Sequence, residues 1–134
     1  MKALTICQPY AELIAMGQKP IENRTWPTSF RGRLFIHAGQ SREWMDPGDE
    51  ATYPGMAFGA LIATARVISC VRVEQLPESL IGNEHANGPW CWILSEVNRI
   101  EPIPFRGAQG LWDVPNDVAL TAMPPRPAQA ETQP

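Results

Sequence analysis

The run from Gly59 to Val73 constrains the fold more than any other part of this chain. It is apolar and rich in β-branched side chains, with Ile62, Val67, Ile68, Val71 and Val73 inside it and no proline. Branched Cβ atoms crowd a helix but pack well on a pleated surface, so the run reads as strand. It is longer than an ordinary strand, so it either bends or divides into two. Three further strands fit around it: Lys2 to Ile6, Arg33 to Ala38 and Trp90 to Ile100. In the second of these, alternation sends Leu34, Ile36 and Ala38 one way and Arg33, Phe35 and His37 the other.

Helical signals are short. Gln8-Pro9 opens a helix in which Tyr10, Leu13 and Ile14 recur at helical spacing and Gly17 supplies the stop. About two turns cannot hold themselves in water, so these residues must bury one face. A second helix is expected over Leu76 to Ala86, with Pro77 in its first turn and Gly88-Pro89 behind it. Pro27 to Gly32 and Phe105 to Trp112 read as turns, and Gly39 to Gly55 as an exposed loop with a helical turn at Glu43-Trp44-Met45. Several strands, two short helices and frequent turns predict a mostly β chain of α+β class, closing as a small β barrel.

The chain has 134 residues, 44% of them hydrophobic, enough for one core. Periodicity fades from Pro115, and residues 123–134 hold four prolines. The expected organisation is a domain over 1–115 and a disordered Pro-rich tail over 116–134. Met1 to Ile6 carries one basic residue and turns polar at Gln8, unlike a signal peptide, and nothing approaches membrane-spanning length. Cys7, Cys70 and Cys91 are odd in number and lack a CxxC pair, which fits a reducing cytoplasm and a monomer without disulfides. The net charge of −3 is unevenly spread. Residues 1–42 hold six Lys/Arg against two acids, a net +4, and residues 43–134 hold five against twelve, a net −7. Four of the six fall between Lys19 and Arg33, which predicts a local basic surface on an acidic body.

That basic stretch includes Lys19-Pro20-Ile21-Glu22-Asn23-Arg24-Thr25-Trp26. If it is extended, Glu22, Arg24 and Trp26 share one face, a combination better suited to a site than to a core. Lys19, Arg24, Arg31, Arg33 and Arg106 can contact phosphates, and Tyr10, Trp26 or Trp112 can stack on an unpaired base. Glu22 can accept from an exocyclic amine or a ribose hydroxyl. The plainer alternative pairs Glu22 with Arg24 and packs Trp26 in the core. Packing is favoured for Trp26 and function for Lys19 with Arg24.

The blocks Gln8-Pro9-Tyr10-Ala11, Gly17-x-Lys19-x-x-Glu22-x-Arg24-x-Trp26 and Arg31-Gly32-x-Leu34-x-Ile36-His37-Ala38 occur in an order that resembles the ASCH family. Trp90-Cys91-Trp92-Ile93-Leu94 and Arg106-Gly107-x-x-Gly110-Leu111-Trp112 extend the resemblance over residues 2–115. It implies a PUA-like β barrel with a helix beside a cleft, the motif residues lining that cleft, and binding of RNA or another single-stranded nucleic acid, including a modified base. Two departures stand out: Tyr10 where family members often have Trp, and Pro20 where they often have a basic residue.

Two enzyme readings accompany the family. In a metal-independent ribonuclease, Lys19 would stabilise the phosphorane while Tyr10, His37 or Glu22 moved protons, although a strand-end histidine is more often structural. In an amidohydrolase acting on acylated cytidine, Glu22 stands where the threonine nucleophile belongs, Thr25 is a poor substitute, and Glu78 and Glu84 lie near the distant acid. The resemblance therefore favours the ribonuclease of the two. No metal or cofactor is expected, because Cys7, Cys70, Cys91 and His37 lack close ligand spacing and Arg106 to Gly110 lacks the lysine of a phosphate loop. A protein-interaction module that takes an acidic peptide in the same cleft stays open.

Overall fold

A computed structural model describes residues 1–122. The long apolar run forms one continuous strand, β4 (Ala60–Arg72), paired antiparallel with β5 (Trp90–Pro104). Register irregularities at Leu61/Ala63, Thr64/Arg66 and Val67/Ser69 bend the pair, the first of the two outcomes its length allowed. With β1 (Lys2–Ile6), β2 (Ile21–Arg24), β3 (Gly32–Ala38) and β6 (Leu111–Asp113), they make one six-stranded sheet, ordered β2-β5-β4-β3-β1-β6. The β1/β3 pair is parallel and the others are antiparallel. The sheet curls into a half-barrel. The fold is mostly β with short helices, as the turn-rich pattern predicts.

Helix α1 (Tyr10–Ala15) connects β1 to β2 and packs on β3, β4 and β5. Ala11, Ile14 and Ala15 are its buried face, spaced three and four apart. They join Leu34, Ile36, Ala38 and the fully buried Trp92 in the main core. Phe35 faces the other way, into a second cluster with Leu61 and Ile100. The helix stops at Gly17, whose φ of 80° is the left-handed conformation that glycine adopts without cost. Pro9 has no capping side chain, and the buried Gln8 supplies the cap. Its Oε1 accepts from the Glu12 amide at 2.8 Å, and its Nε2 donates to the Ala57 carbonyl at 2.7 Å.

Three expectations are corrected. Leu76 to Ala86 is not a helix but a single 3₁₀ turn, Glu78–Leu80, followed by loop, with another 3₁₀ turn, Val73–Gln75, just before it. Pro77, Gly82 and Asn83 interrupt it, and with Ile81 70% exposed it has no apolar stripe to bury. The turn of helix in the 39–55 loop is α2 (Asp49–Thr52), after Glu43-Trp44-Met45. The packed chain also runs past residue 115. Helix α3 (Asn116–Ala122) returns Val118, Ala119 and buried Ala122 to the second cluster. Residues 123–134, where the disordered tail was expected, lie outside the described residues.

His37 fastens β6 to the sheet. Trp112 Nε1 donates to Thr5 Oγ1 at 3.0 Å, Thr5 Oγ1 meets His37 Nδ1 at 3.1 Å, and His37 Nε2 meets the Phe105 carbonyl at 2.6 Å. The carbonyl can only accept, so Nε2 carries the proton and Nδ1 accepts from the threonine hydroxyl. Burial lowers the His37 pKa from 6.5, partly opposed by the Phe105 carbonyl, so the imidazole sits neutral in this chain of bonds. Gly107 closes against it: a Cβ there would lie 2.7 Å from His37 Cε1 and from Thr5 Oγ1. Gly107→Ala is expected to cost about 1–3 kcal/mol in urea unfolding through overpacking. Because the folded pKa lies below the unfolded one, His37 adds stability above pH 6.5, and that stability falls as pH drops below it towards the folded value. His37→Gln should flatten that part of the stability–pH curve.

Candidate functional site

Where β2 faces the end of β1, the half-barrel leaves a cleft of about 600 Å³. Pro20 and Ile21 lead into β2, which pairs only with β5, so its other edge is free to face the gap. Lys19 and Glu22 point into this region and are 4% and 7% exposed. The Lys19 ammonium donates to the Ile21 carbonyl and to Glu22 Oε1, the latter at 3.1 Å. Glu22 Oε2 meets Arg24 Nη2 at 3.1 Å, and the same Nη2 donates to the Thr5 carbonyl at 2.8 Å. A line of charges, positive, negative, positive, thus crosses the seam. The Nε of Arg24 is buried without a hydrogen-bond partner among the described residues.

Aromatic rings complete the walls. The Lys19 ammonium lies 5.8 Å from the centre of the Tyr10 ring, and Tyr10 sits 6.5 Å from Trp44, which is 53% exposed at the rim. Trp26 lines the cleft with one surface and sets its ring edge-on to Trp92 at 4.8 Å. The far wall is the 84–88 loop, held by Asn23. Its Nδ2 donates to the His85 carbonyl at 2.8 Å, and its Oδ1 accepts from the Asn87 and Gly88 amides at 2.9 and 2.8 Å. Cys7 also lines the cleft. Burial pushes its thiol pKa up, Glu22 and Glu43 add to this and Arg24 opposes it, so the group stays an uncharged thiol rather than a nucleophile.

The cleft gathers Lys19, Glu22, Arg24, Trp26 and Tyr10, and it leaves out others. His37 is in the β6 latch with both ring nitrogens engaged. Arg31 is exposed on its turn, bonded to the Thr28 and Phe30 carbonyls. Arg33 lies on the opposite face of β3, paired with Glu96 at 3.2 Å. The four basic residues between 19 and 33 therefore form no single patch. Arg106 lies on the β5–β6 loop beside an adjoining cavity, and Trp112 is stacked on Phe105. Glu84 reaches the rim; Glu78, exposed in its 3₁₀ turn, is not part of the lining. Among the described residues, no group of three or more His, Cys, Asp or Glu could hold a metal ion, and no helix is long and apolar enough to cross a membrane. Trp44, Asn23 and the 84–88 loop beyond Glu84 were not anticipated as site components. Only the exposure of an aromatic in a polar loop could have pointed to Trp44.

A mostly β sheet curled into a half-barrel with a few short helices is the PUA-like fold. The family model for the ASCH domain matches residues 4–104, and the chain belongs to that family. The family is PUA-like and is associated with RNA binding. Activating signal cointegrator 1 of Homo sapiens is 24% identical over 130 residues, covering 86% of this chain and 22% of that protein; the Mus musculus protein is 23% identical with the same coverage. The chain thus spans about a fifth of the length of these relatives. The crystal structure of ASCH from Zymomonas mobilis superposes with a TM-score of 0.56 at 17% identity, covering 89% of this chain and 90% of that one. A mutant of the same protein gives 0.57 at 16% identity, covering 91% and 96%. At that identity the likeness carries the fold alone.

Glu22 is expected to be the keystone of the cleft. Glu22→Ala leaves the buried Lys19 ammonium and the Arg24 guanidinium facing each other and should cost about 3–5 kcal/mol in chemical denaturation. Adding Lys19→Met to that variant should restore part of the loss.

Proposed function

We propose that this cleft binds single-stranded nucleic acid, RNA in the first instance, with one unpaired base held among the aromatic side chains. The observation that carries the reading is the charge line at the seam. Glu22 is matched on both sides by a cation, so the trio brings one net positive charge, balanced only by Glu84 at the rim, to the wall of a cavity large enough for a nucleoside. Tyr10 and Trp44 offer stacking surfaces beside it, and base–aromatic stacking contributes about 1–3 kcal/mol per base while tolerating any sequence. Phosphate then falls to Arg24, and base-edge hydrogen bonds to the polar groups of the 84–88 loop. The association of the family with RNA supports the same choice, and a modified base is a natural occupant of a cavity with this mixture of polar and apolar walls.

Cleavage is the second reading. Tyr10 beside Lys19 favours it, since an ammonium could stabilise a phosphorane while the phenol moved a proton. The engagement of both His37 nitrogens elsewhere counts against it. For deacylation, Glu22 occupies the nucleophile's position and is held by two cations, which leaves that chemistry without its threonine.

Lys19 and Glu22 support each other in the interior, so their removal confuses binding with folding. Trp44→Ala is the cleaner test, and Arg24→Gln, which also releases the Thr5 carbonyl, is paired with circular dichroism and urea unfolding to check the fold. Wild-type protein should retain a mixed single-stranded RNA pool intact on a native gel, with affinity falling as salt rises because phosphate contacts release counterions. Arg24→Gln should weaken retention by about tenfold. RNA shortened by the wild type but not by Tyr10→Phe would replace binding with cleavage, and retention insensitive to both substitutions would move the site away from the cleft.

A further inference from the structure

The cleft does not end at Arg24. A second cavity of about 350 Å³ shares Thr5, Arg24 and Trp26 with it and is closed by Ala108, Gln109 and Gly110. A third, of about 810 Å³, shares Thr5, Ala108 and Gln109 with the second and reaches Arg106. The shared lining residues place the three cavities side by side, and we read them as stations along one groove. It starts at Lys19, passes Arg24 and ends beside Arg106, with the β5–β6 loop as its second wall.

The charge along it is one-sided. Glu22 and Glu84 line the first cavity, but no carboxylate lines the second or the third. The formal charges of that extension are Arg24 and Arg106, both positive. The loop is also fixed in place. His37 holds the Phe105 carbonyl, and Gly107 lies so close to His37 and Thr5 that no side chain fits between them. Arg106 is therefore presented from a braced backbone, and its exposed side chain is left for solvent or ligand.

We infer that the ligand is a strand of several nucleotides rather than a free nucleoside. One base occupies the first cavity, and the adjoining nucleotides follow the groove past Arg24 to a phosphate contact at Arg106. This rests on the nucleic-acid reading above and extends it. A nucleoside would leave the second and third cavities empty, whereas a polyanion uses their unopposed positive charge.

Isothermal titration calorimetry on the full chain tests this with the four nucleoside 5′-monophosphates and a mixed-sequence RNA octamer. The octamer should bind more than about tenfold tighter than any monophosphate at low salt. Arg106→Ala should weaken the octamer several-fold and reduce the slope of log K against log salt by about 0.7, leaving monophosphate affinity unchanged. Gln109→Glu, which adds a carboxylate to an exposed groove wall, should act the same way. Equal affinity of the wild type for octamer and monophosphate overturns the proposal. So does an octamer unaffected by Arg106→Ala and Gln109→Glu but weakened by Arg24→Gln, which retains the cleft and removes the groove. If Arg24→Gln is silent as well, the cleft reading falls with it. An octaglutamate peptide that binds as tightly, with the same dependence on Arg106, would replace the nucleic acid with an acidic peptide.

Discussion

Between β2 and β1 the sheet has no backbone ladder, and the bond that spans them is Arg24 Nη2 donating to the Thr5 carbonyl at 2.8 Å. β6 pairs with β1 only as far as Leu4, and the Thr5 carbonyl lies one residue beyond that ladder. A full barrel would satisfy such a group with another strand. Here a side chain satisfies it, and a side chain holds two edges together without sealing the space between them. The cleft is this unsealed seam. Its floor follows from α1, which packs on β3, β4 and β5, and its width follows from Asn23, which sets the distance from β2 to the 84–88 loop.

Burying Lys19 and Glu22 beside a half-buried Arg24 is a poor way to gain stability, because desolvation offsets most of the attraction between them. The main core does not need them: Trp92, Leu34, Ile36 and Ile14 are fully buried without their help. What the trio provides is direction. Lys19 and Arg24 each have a hydrogen-bonded anchor on the backbone, Ile21 for one and Thr5 for the other, and Glu22 fixes the remaining geometry. Donors held in this way need little reorganisation when an anion arrives. The β5–β6 loop uses the same device on the neighbouring stretch, with neutral His37 bracing the backbone beside Arg106.

Much of this was legible in the sequence, for physical reasons that differ by element. β1, β3 and β4 alternate or run apolar between turn residues, so local pattern and tertiary burial agree. β2 was readable because Glu22 and Arg24 made sense only on one face. β6 was not: three residues after two glycines carry no period, and the strand exists because it pairs with β1, where Trp112 bonds Thr5. The expected helix over 76–86 rested on its end signals, Pro77 and Gly88-Pro89, and failed because no apolar stripe lies between them to bury. α3 was missed because its apolar residues are few and gain their value only against the second cluster. In the site, the motif brought Lys19, Glu22 and Arg24 together as expected. Arg31 and Arg33 were grouped with them by sequence distance alone, and β3 turns the second of these towards Glu96.

Glu22 decides which chemistry such a cleft can host. Each of its oxygens already accepts from a cation, and it is nearly excluded from water. A carboxylate in that state is poorly placed to take a proton from substrate, since doing so would leave Lys19 and Arg24 without their counter-charge in the interior. It can instead hold the two cations in register while the ligand meets their outward faces and the aromatic rim. The neighbouring thiol of Cys7, kept protonated by burial and by Glu22 itself, is equally unready for attack. Glu22 and Cys7 are thus poorly placed to react, while the rings of Tyr10 and Trp44 remain for contact. That division suits a surface that holds a strand more than one that cuts it.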